Sequence, residues 1–274
     1  MLYVTYNDRG LQDGVGAQVQ RIFSLFLLAK RFNLPYIHTP ILETEHNVDK
    51  DTLALFNSLT ALPSVQNKQS CTTVVTPFFD LASLRAHQRG TNHVLVKLKF
   101  LHKYIDAHPE VVEPPFPHVF PWVETKLSPV IQIAVHIRRG DVSKDTNADR
   151  YIDFSYYRDC IQELHTLMGE RPHAFHIYSE GAIREEIANA NLPNATPHID
   201  ESVVEAFQGF VNADIFLAGF SSLSYSASLI RAKGIVLYPH SFRHAYPTRN
   251  LCVRQPSDIG GFREPILHAL QSGV

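Results

Sequence analysis

Ile131-Gln132-Ile133-Ala134-Val135-His136-Ile137-Arg138-Arg139-Gly140-Asp141 is the stretch on which the reading of this chain turns. Its first half is apolar and β-branched, as a buried strand requires, and it ends abruptly in a histidine, two arginines, a glycine and an acid. In open parallel sheets ligands bind beyond the carboxyl ends of the strands, where this cluster falls. Side chains alternate along a strand, so His136 and Arg138 point the same way and Arg139 begins the loop. Two guanidinium forks at one sheet edge suit a diphosphate, since they stay charged at any working pH and match phosphate oxygens in pairs. The competing reading is a purely structural ion pair between Arg139 and Asp141. Arg-Gly-Asp as an adhesion signal rests on a tripeptide that recurs by chance.

On both sides of this stretch short strands alternate with helices. Downstream the pattern predicts strands at 174–178, 196–199, 215–218 and 235–238, with helices at 155–168, 182–190, 203–211 and 222–232. Upstream it predicts strands at 2–6, 35–38, 73–76 and 93–98, with helices at 17–32, 51–59 and 78–89, the second of them capped by Asp51. Pro109, Pro114, Pro115, Pro117 and Pro121 crowd the interval between the two series and forbid continuous helix or inner strand there. The boundary is therefore placed in that interval, giving lobes of residues 1–120 and 121–274. Strands that alternate with helices argue for parallel sheets covered on both faces. The expected fold class is α/β, with two Rossmann-like lobes whose parallel sheets face a central cleft.

The composition agrees with this. The chain has 274 residues, 45% hydrophobic and 19% charged, enough apolar material for two modest cores and unlike a disordered, collagenous or coiled-coil chain. Its 25 basic and 27 acidic residues leave a net charge of -2, so no basic field exists to hold a nucleic acid backbone. Cys71, Cys160 and Cys252 are odd in number, far apart and free of C-x-x-C spacing, which suggests neither a disulfide framework nor a zinc knuckle. No run approaches the roughly 18 apolar residues of a membrane span, and the first residues carry no signal peptide pattern. The chain as given reads as soluble and cytoplasmic, with a removed stalk or signal left open.

Two further stretches carry chemistry. Asp214-Ile-Phe-Leu-Ala-Gly219-Phe-Ser221-Ser222-Leu-Ser224-Tyr225-Ser226 is again a strand, then a glycine, then serines at the start of a helix. Free N–H groups at that helix start, with hydroxyls as extra donors, can cradle a phosphate; ordinary N-capping by Ser221 or Ser222 is the alternative. Asp13-Gly14-Val15-Gly16-Ala17-Gln18 opens the first helix, and its two glycines permit close approach of an anionic ligand. A dinucleotide fingerprint would need glycine where Val19 stands, so NAD binding is poorly supported. The fifteen histidines are scattered without metal-ligand spacing, and most read as surface or satisfied core residues. Asp49-Lys50-Asp51 is the one D-x-D that could hold a divalent cation, but its place before a helical run favours a capping role, and no metal is expected.

His136 to Asp141 as H-x-R-R-G-D, Gly14 to Gln18 as G-V-G-A-Q, and Ser221 to Ser224 as S-S-x-S together resemble the fucosyltransferase superfamily. That superfamily includes the α-1,2 enzymes and their α-1,6 and protein O-fucosyltransferase relatives. The segment from Phe175 to Glu180 and the residues from Asp200 to Asp214 are similar to the strand and helix that precede its serine motif. The resemblance implies a GT-B-like fold and an inverting, metal-independent transfer with a nucleotide-sugar as co-substrate and no other cofactor. It implies that His136 contacts the nucleotide, Arg138 the diphosphate, and Ser221, Ser222 and Ser224 the phosphates or ribose, with Arg139, Asp141 and Glu180 shaping the same pocket. Gly14, Gly16 and Gln18 come to the donor from the first lobe. Ala17 stands where the α-1,2 enzymes usually have asparagine, and Leu223 and Tyr225-Ser226 replace their phenylalanine and paired tryptophans. GDP-fucose is the first choice of donor on this resemblance, a UDP-sugar such as UDP-xylose fits the same scaffold, and the implied acceptor is a glycan or glycoprotein.

The residues themselves are consistent with such chemistry. Charge accumulates on a leaving diphosphate, and fixed cations and helix N–H groups stabilise it. Arg138 is the expected catalytic cation. The base for the acceptor hydroxyl is expected to be Asp13, with Asp8 and His38 as rivals. Tyr36, Phe116 and Trp122 could stack on a sugar, though core packing explains each more cheaply. A non-catalytic nucleotide-sugar binding protein and an NAD-dependent oxidoreductase are the competing classes.

Overall fold

The computed structural model describes all residues except 7–12, 46–47, 66–71, 77–78, 89–93, 99–101, 114, 125–127, 241, 243 and 273–274. Asp8 and Cys71 lie outside the described residues. Two compact units result, one of Met1–Phe120 with His244–Pro247, the other of Pro121–Arg243 with Thr248–Val274. His244–Pro247 group with the first unit, where the His244 ring meets Asp106 at 3.2 Å.

In the first unit β1 (Leu2–Tyr6), β2 (Tyr36–Ile37), β3 (Thr72–Thr76) and β4 (Val94–Leu98) form a parallel sheet in the order β2-β1-β4-β3. β1 is buried along its whole length, and α1 (Val15–Arg31) sets Val19, Ile22, Phe23 and Phe26 into the core. The proline-rich stretch holds one 3-10 turn, Pro109–Val111, before Phe116 packs its ring 5.2 Å from Phe23 and 5.7 Å from Phe26. Tyr36, a buried core residue, meets Phe26 edge-on at 5.3 Å, and Phe116 is half-buried against the same helix. α2 (Lys50–Leu59) is capped by Asp49, whose carboxylate accepts from the amides of Asp51 and Thr52. The cap therefore lies two residues before the expected Asp51, because only a residue outside the helix can reach back to its first free amides. α3 (Leu81–Gln88) is shorter than expected, and α4 (His102–Ala107) was not foreseen; a single turn and a half carries too little periodicity to read.

In the second unit the elements run β5 (Ile131–His136), α5 (Phe154–Met168), β6 (His173–Ser179), α6 (Arg184–Asn189), β7 (Ala195–Ile199), α7 (Val203–Asn212), β8 (Ile215–Leu217), α8 (Ser222–Ile230) and β9 (Ile235–Pro239). β10 (Leu251–Val253), α9 (Asp258–Gly261) and α10 (Arg263–Ser272) complete it. All six strands are parallel, in the order β10-β9-β8-β5-β6-β7. The chain winds outward from β5 through β6 and β7, then returns to place β8 on the other side of β5. One face, with Ile133, Val135, Phe175, Ile177, Ile215 and Leu217, packs on Ile161, Leu164 and Met168 of α5. The other face is mixed: Gln132, His136, His176, Tyr178, His198 and Phe216 share it by register. There a row of hydrogen bonds joins Gln132 Oε1 to His176 Nε2 (2.8 Å), His176 Nδ1 to His198 Nε2 (3.0 Å) and His198 Nδ1 to Glu201 Oε1 (2.7 Å). Trp122 packs 5.9 Å from Phe207 of α7. No helix among the described residues is long and apolar enough to cross a membrane.

The amino ends of these strands are held by buried charge. The Asp214 carboxylate accepts from the Gln132 amide at 2.8 Å and pairs with Lys233 at 3.0 Å, both side chains being less than a tenth exposed. Arg231, fully buried and pushed down to about 9 by that burial, donates to the carbonyls of Phe210, Ala213 and Lys233. Gly234 turns at φ +71, and a Cβ there would collide with the Asp214 carbonyl. A buried pair that loses one partner leaves an uncompensated charge. Asp214→Ala is accordingly expected to cost about 3 kcal/mol in urea unfolding; a cost near zero would show that Lys233 and Arg231 do not depend on it.

Candidate functional site

The second sheet reverses its winding between β5 and β8, and in parallel sheets such a reversal opens a crevice at the carboxyl ends of the two strands. Both long motifs arrive there. The loop after β8 reaches the end of β5 because residue 219 is glycine: a Cβ would lie 2.5 Å from the His136 carbonyl oxygen and 3.3 Å from its Nδ1. α8 then begins with Ser221 as its N-cap, the hydroxyl accepting from the Leu223 amide at 3.2 Å. Ser222 is the first helical residue and is half-buried. The N-terminus of α8 brings a partial positive charge to the end of β5.

His136 lies against this turn, its Nδ1 2.6 Å from Ser224 Oγ and its ring stacked 4.7 Å from Phe210. Burial, with Arg138 adding to it, drives the His136 pKa down to about 3, so the imidazole is neutral. Ser224 is wholly buried, and its hydroxyl is taken up by His136 and by the Gly219 amide at 3.3 Å. In this structure the Ser224 hydroxyl is thus engaged within the protein. Its place one turn into α8 puts the side chain under the helix start rather than at its mouth.

Arg138 pairs with Asp141 at 2.5 Å, both side chains about a quarter exposed. The structural ion pair weighed above for Arg139 and Asp141 forms instead between Arg138 and Asp141, because an i, i+3 turn through Gly140 brings residues 138 and 141 together. Arg139 donates instead to the carbonyls of Arg138 (2.8 Å) and Ile152 (3.1 Å) and lies 4.5 Å over the Tyr151 ring. The two guanidiniums therefore have different partners, and the expected double fork reduces to Arg138 as candidate cation with Arg139 as anchor of the loop. Gly140 adopts φ +72, and a Cβ there would collide with the Glu180 carboxylate. Glu180, exposed at the carboxyl end of β6, is thereby placed beside the β5 loop.

The first-unit candidates gather at the start of α1. Gly14 occupies the N-cap position with no side-chain cap, and Gly16 is buried in the first turn. Gln18, only 1% exposed, donates to the carbonyls of Asp13 (3.0 Å) and Glu43 (2.6 Å) and so ties two loops to the helix. Asp13 pairs with Arg21 at 2.6 Å, a partner that the i, i+8 separation hid. The geometry makes Gln18 and Asp13 anchors of their loop. Burial pushes the His38 pKa below its ordinary value, and its Nδ1 lies 3.1 Å from the Tyr36 hydroxyl. Among the described residues no group of three or more His, Cys, Asp or Glu side chains could hold a metal ion.

No known family profile matches this chain, and no curated protein sequence matches it. Among solved structures it is similar to the E. coli heptosyltransferase WaaC with ADP, at 10% identity and a TM-score of 0.49 over 96% of this chain and 99% of that one. It is also similar to the E. coli ADP-heptose LPS heptosyltransferase II, at 10% identity and a TM-score of 0.48 over 99% and 98% of the two chains. The fucosyltransferase NodZ from Bradyrhizobium is similar at 13% identity and a TM-score of 0.44 over 82% and 90%.

The neutral state of His136 has a measurable consequence. Between its unfolded pKa near 6.5 and its folded value of about 3 the unfolded chain takes up a proton that the native protein does not. Stability is therefore lost as pH falls through that window, with a slope of up to about 1.4 kcal/mol per pH unit from this group. Urea unfolding compared between the wild type and His136→Gln from about pH 6.5 to about pH 5 should show the slope reduced in the variant. Equal slopes would place His136 in contact with water.

Proposed function

We propose that the chain is a glycosyltransferase of the GT-B type, inverting and independent of metal, which moves a sugar from a nucleotide-diphosphate donor to a glycan or glycoprotein hydroxyl. GDP-fucose is the first choice of donor, on the resemblance of the H-x-R-R-G-D, G-V-G-A-Q and S-S-x-S segments to the fucosyltransferase superfamily. The observation that carries the reading is the meeting of two of those motifs at the reversal of the second sheet. There Gly219 packs against the His136 carbonyl and the N-terminus of α8 adjoins the end of β5.

In this proposal the diphosphate lies at the start of α8 with Arg138 beside it. As the bond from the anomeric carbon to the diphosphate oxygen breaks, negative charge grows on that oxygen. Arg138 and the first amides of α8 then bind it more strongly than in the ground state. Glu180, a carboxylate at the end of β6, suits hydroxyl groups rather than phosphate. Asp13 is the carboxylate proposed to take the acceptor proton, held in one orientation by Arg21.

Thermal-shift titration with GDP, GDP-fucose, UDP, UDP-xylose and NADH, each with and without EDTA, tests the donor. A ligand that binds only the native state raises its stability by RT ln(1 + [L]/Kd). A shift with GDP and GDP-fucose that survives EDTA is the expected result; a shift with UDP compounds alone would replace the donor, and a shift with NADH alone would overturn the assignment. Arg138→Ala is expected to lower transfer by about a thousandfold, as loss of a preorganised charge contact does. Near-normal turnover in that variant would remove Arg138 from the reaction.

A further inference from the structure

The buried hydroxyl of Ser224 has one hydrogen to give and two neighbours. The Gly219 amide is a donor, so Ser224 Oγ accepts from it at 3.3 Å. The other neighbour is His136 Nδ1 at 2.6 Å, the one acceptor among the hydrogen-bond partners of Ser224, so the buried Ser224 hydrogen is satisfied only by going there. Nδ1 is then an acceptor, and because the ring is neutral the remaining proton sits on Nε2. Among the described residues Nε2 has no protein partner. Phe210 fixes the plane of the ring by stacking on it at 4.7 Å and 27°, so the direction of that N–H is set as well.

We propose that Ser224 is a positioning residue that holds His136 as its Nε2–H tautomer, making the imidazole a fixed, uncharged hydrogen-bond donor to an acceptor oxygen of the bound nucleoside diphosphate. The proposal rests on the donor-site reading above and adds to it a division of work. Arg138 supplies charge, and His136 supplies direction without charge. Ser224 touches neither nucleotide nor sugar and acts through the ring. A protonated ring would bring a second cation within reach of Arg138, and the opposite tautomer would turn a lone pair toward the ligand's oxygens. The Ser224 hydrogen bond excludes the second of these, and burial excludes the first.

The test reads the tautomer directly. Protein labelled with 15N-histidine and free of nucleotide is followed by long-range proton–nitrogen correlation at about pH 7 and about pH 5, a range that an ordinary histidine would titrate across. The His136 signals are identified by their absence in His136→Gln. The expected spectrum is a neutral Nε2–H ring at both pH values. In Ser224→Ala the tautomers should mix, and GDP affinity should fall about tenfold, the worth of one oriented hydrogen bond. His136→Gln places an amide N–H near the position of Nε2–H without needing Ser224, so adding Ser224→Ala to it should cost no further affinity. An Nδ1–H or charged ring in the wild type overturns the proposal, as does unchanged GDP affinity in Ser224→Ala; the wild-type spectrum decides the tautomer even if Ser224→Ala fails to fold. A wild type with the stated tautomer that binds no nucleoside diphosphate overturns the donor-site reading and, with it, the role of His136 as a ligand contact.

Discussion

Between Gly219 and the carbonyl of His136 there is no room for a side chain, and the second unit is organised around that close approach. It lets the connection from β8 cross the end of β5, which in turn lets α8 start beside the H-x-R-R-G-D loop. Had the chain continued winding in one direction, β8 would lie beyond β7 and the two motifs would be several strands apart. The reversal brings two separate strand ends together, and the glycine lets the turn after β8 come close enough for Ser224 to reach His136.

The same sheet treats charge differently at its two ends. At the amino ends Asp214, Lys233 and Arg231 are buried and matched by ion pairs and backbone carbonyls, and they bind the strands to each other and to the end of α7. At the carboxyl ends the charged groups, Arg138, Asp141 and Glu180, keep part of their surface exposed, while the buried His136 is uncharged. Charges that complete the fold are satisfied internally, and charges that remain reachable cluster where two loops and a helix start converge. Of the two hydrogen bonds that the neutral His136 ring can make, Ser224 supplies one inside the protein.

Much of this was legible in the residues. β5 to β9 and the helices between them follow from apolar runs bounded by polar turns, and the parallel arrangement follows from their alternation. β10, α9 and α10 were not legible: Leu251-Cys252-Val253 is three residues long, and α10 mixes polar and apolar side chains without a clean stripe. At the site, the H-x-R-R-G-D loop and the serine turn announced themselves by residue type. The partners did not. Whether Asp141 pairs with Arg138 or Arg139 depends on the turn at Gly140, and the bond of Ser224 to His136 spans 88 residues, so only the strand order could disclose it.

The row from Gln132 through His176 and His198 to Glu201 carries an arithmetic of its own. Its two ends, an amide oxygen and a carboxylate oxygen, can only accept, so three hydrogen bonds in series require three ring protons. Two neutral imidazoles hold two. The complete row therefore needs one proton more than two neutral rings carry, while burial pushes the His176 pKa below its ordinary value. With only two ring protons one of the three links has no hydrogen, so the polar face of this sheet has hydrogen-bond arrangements that differ by a single proton, on the same strands that lead to His136 and Glu180.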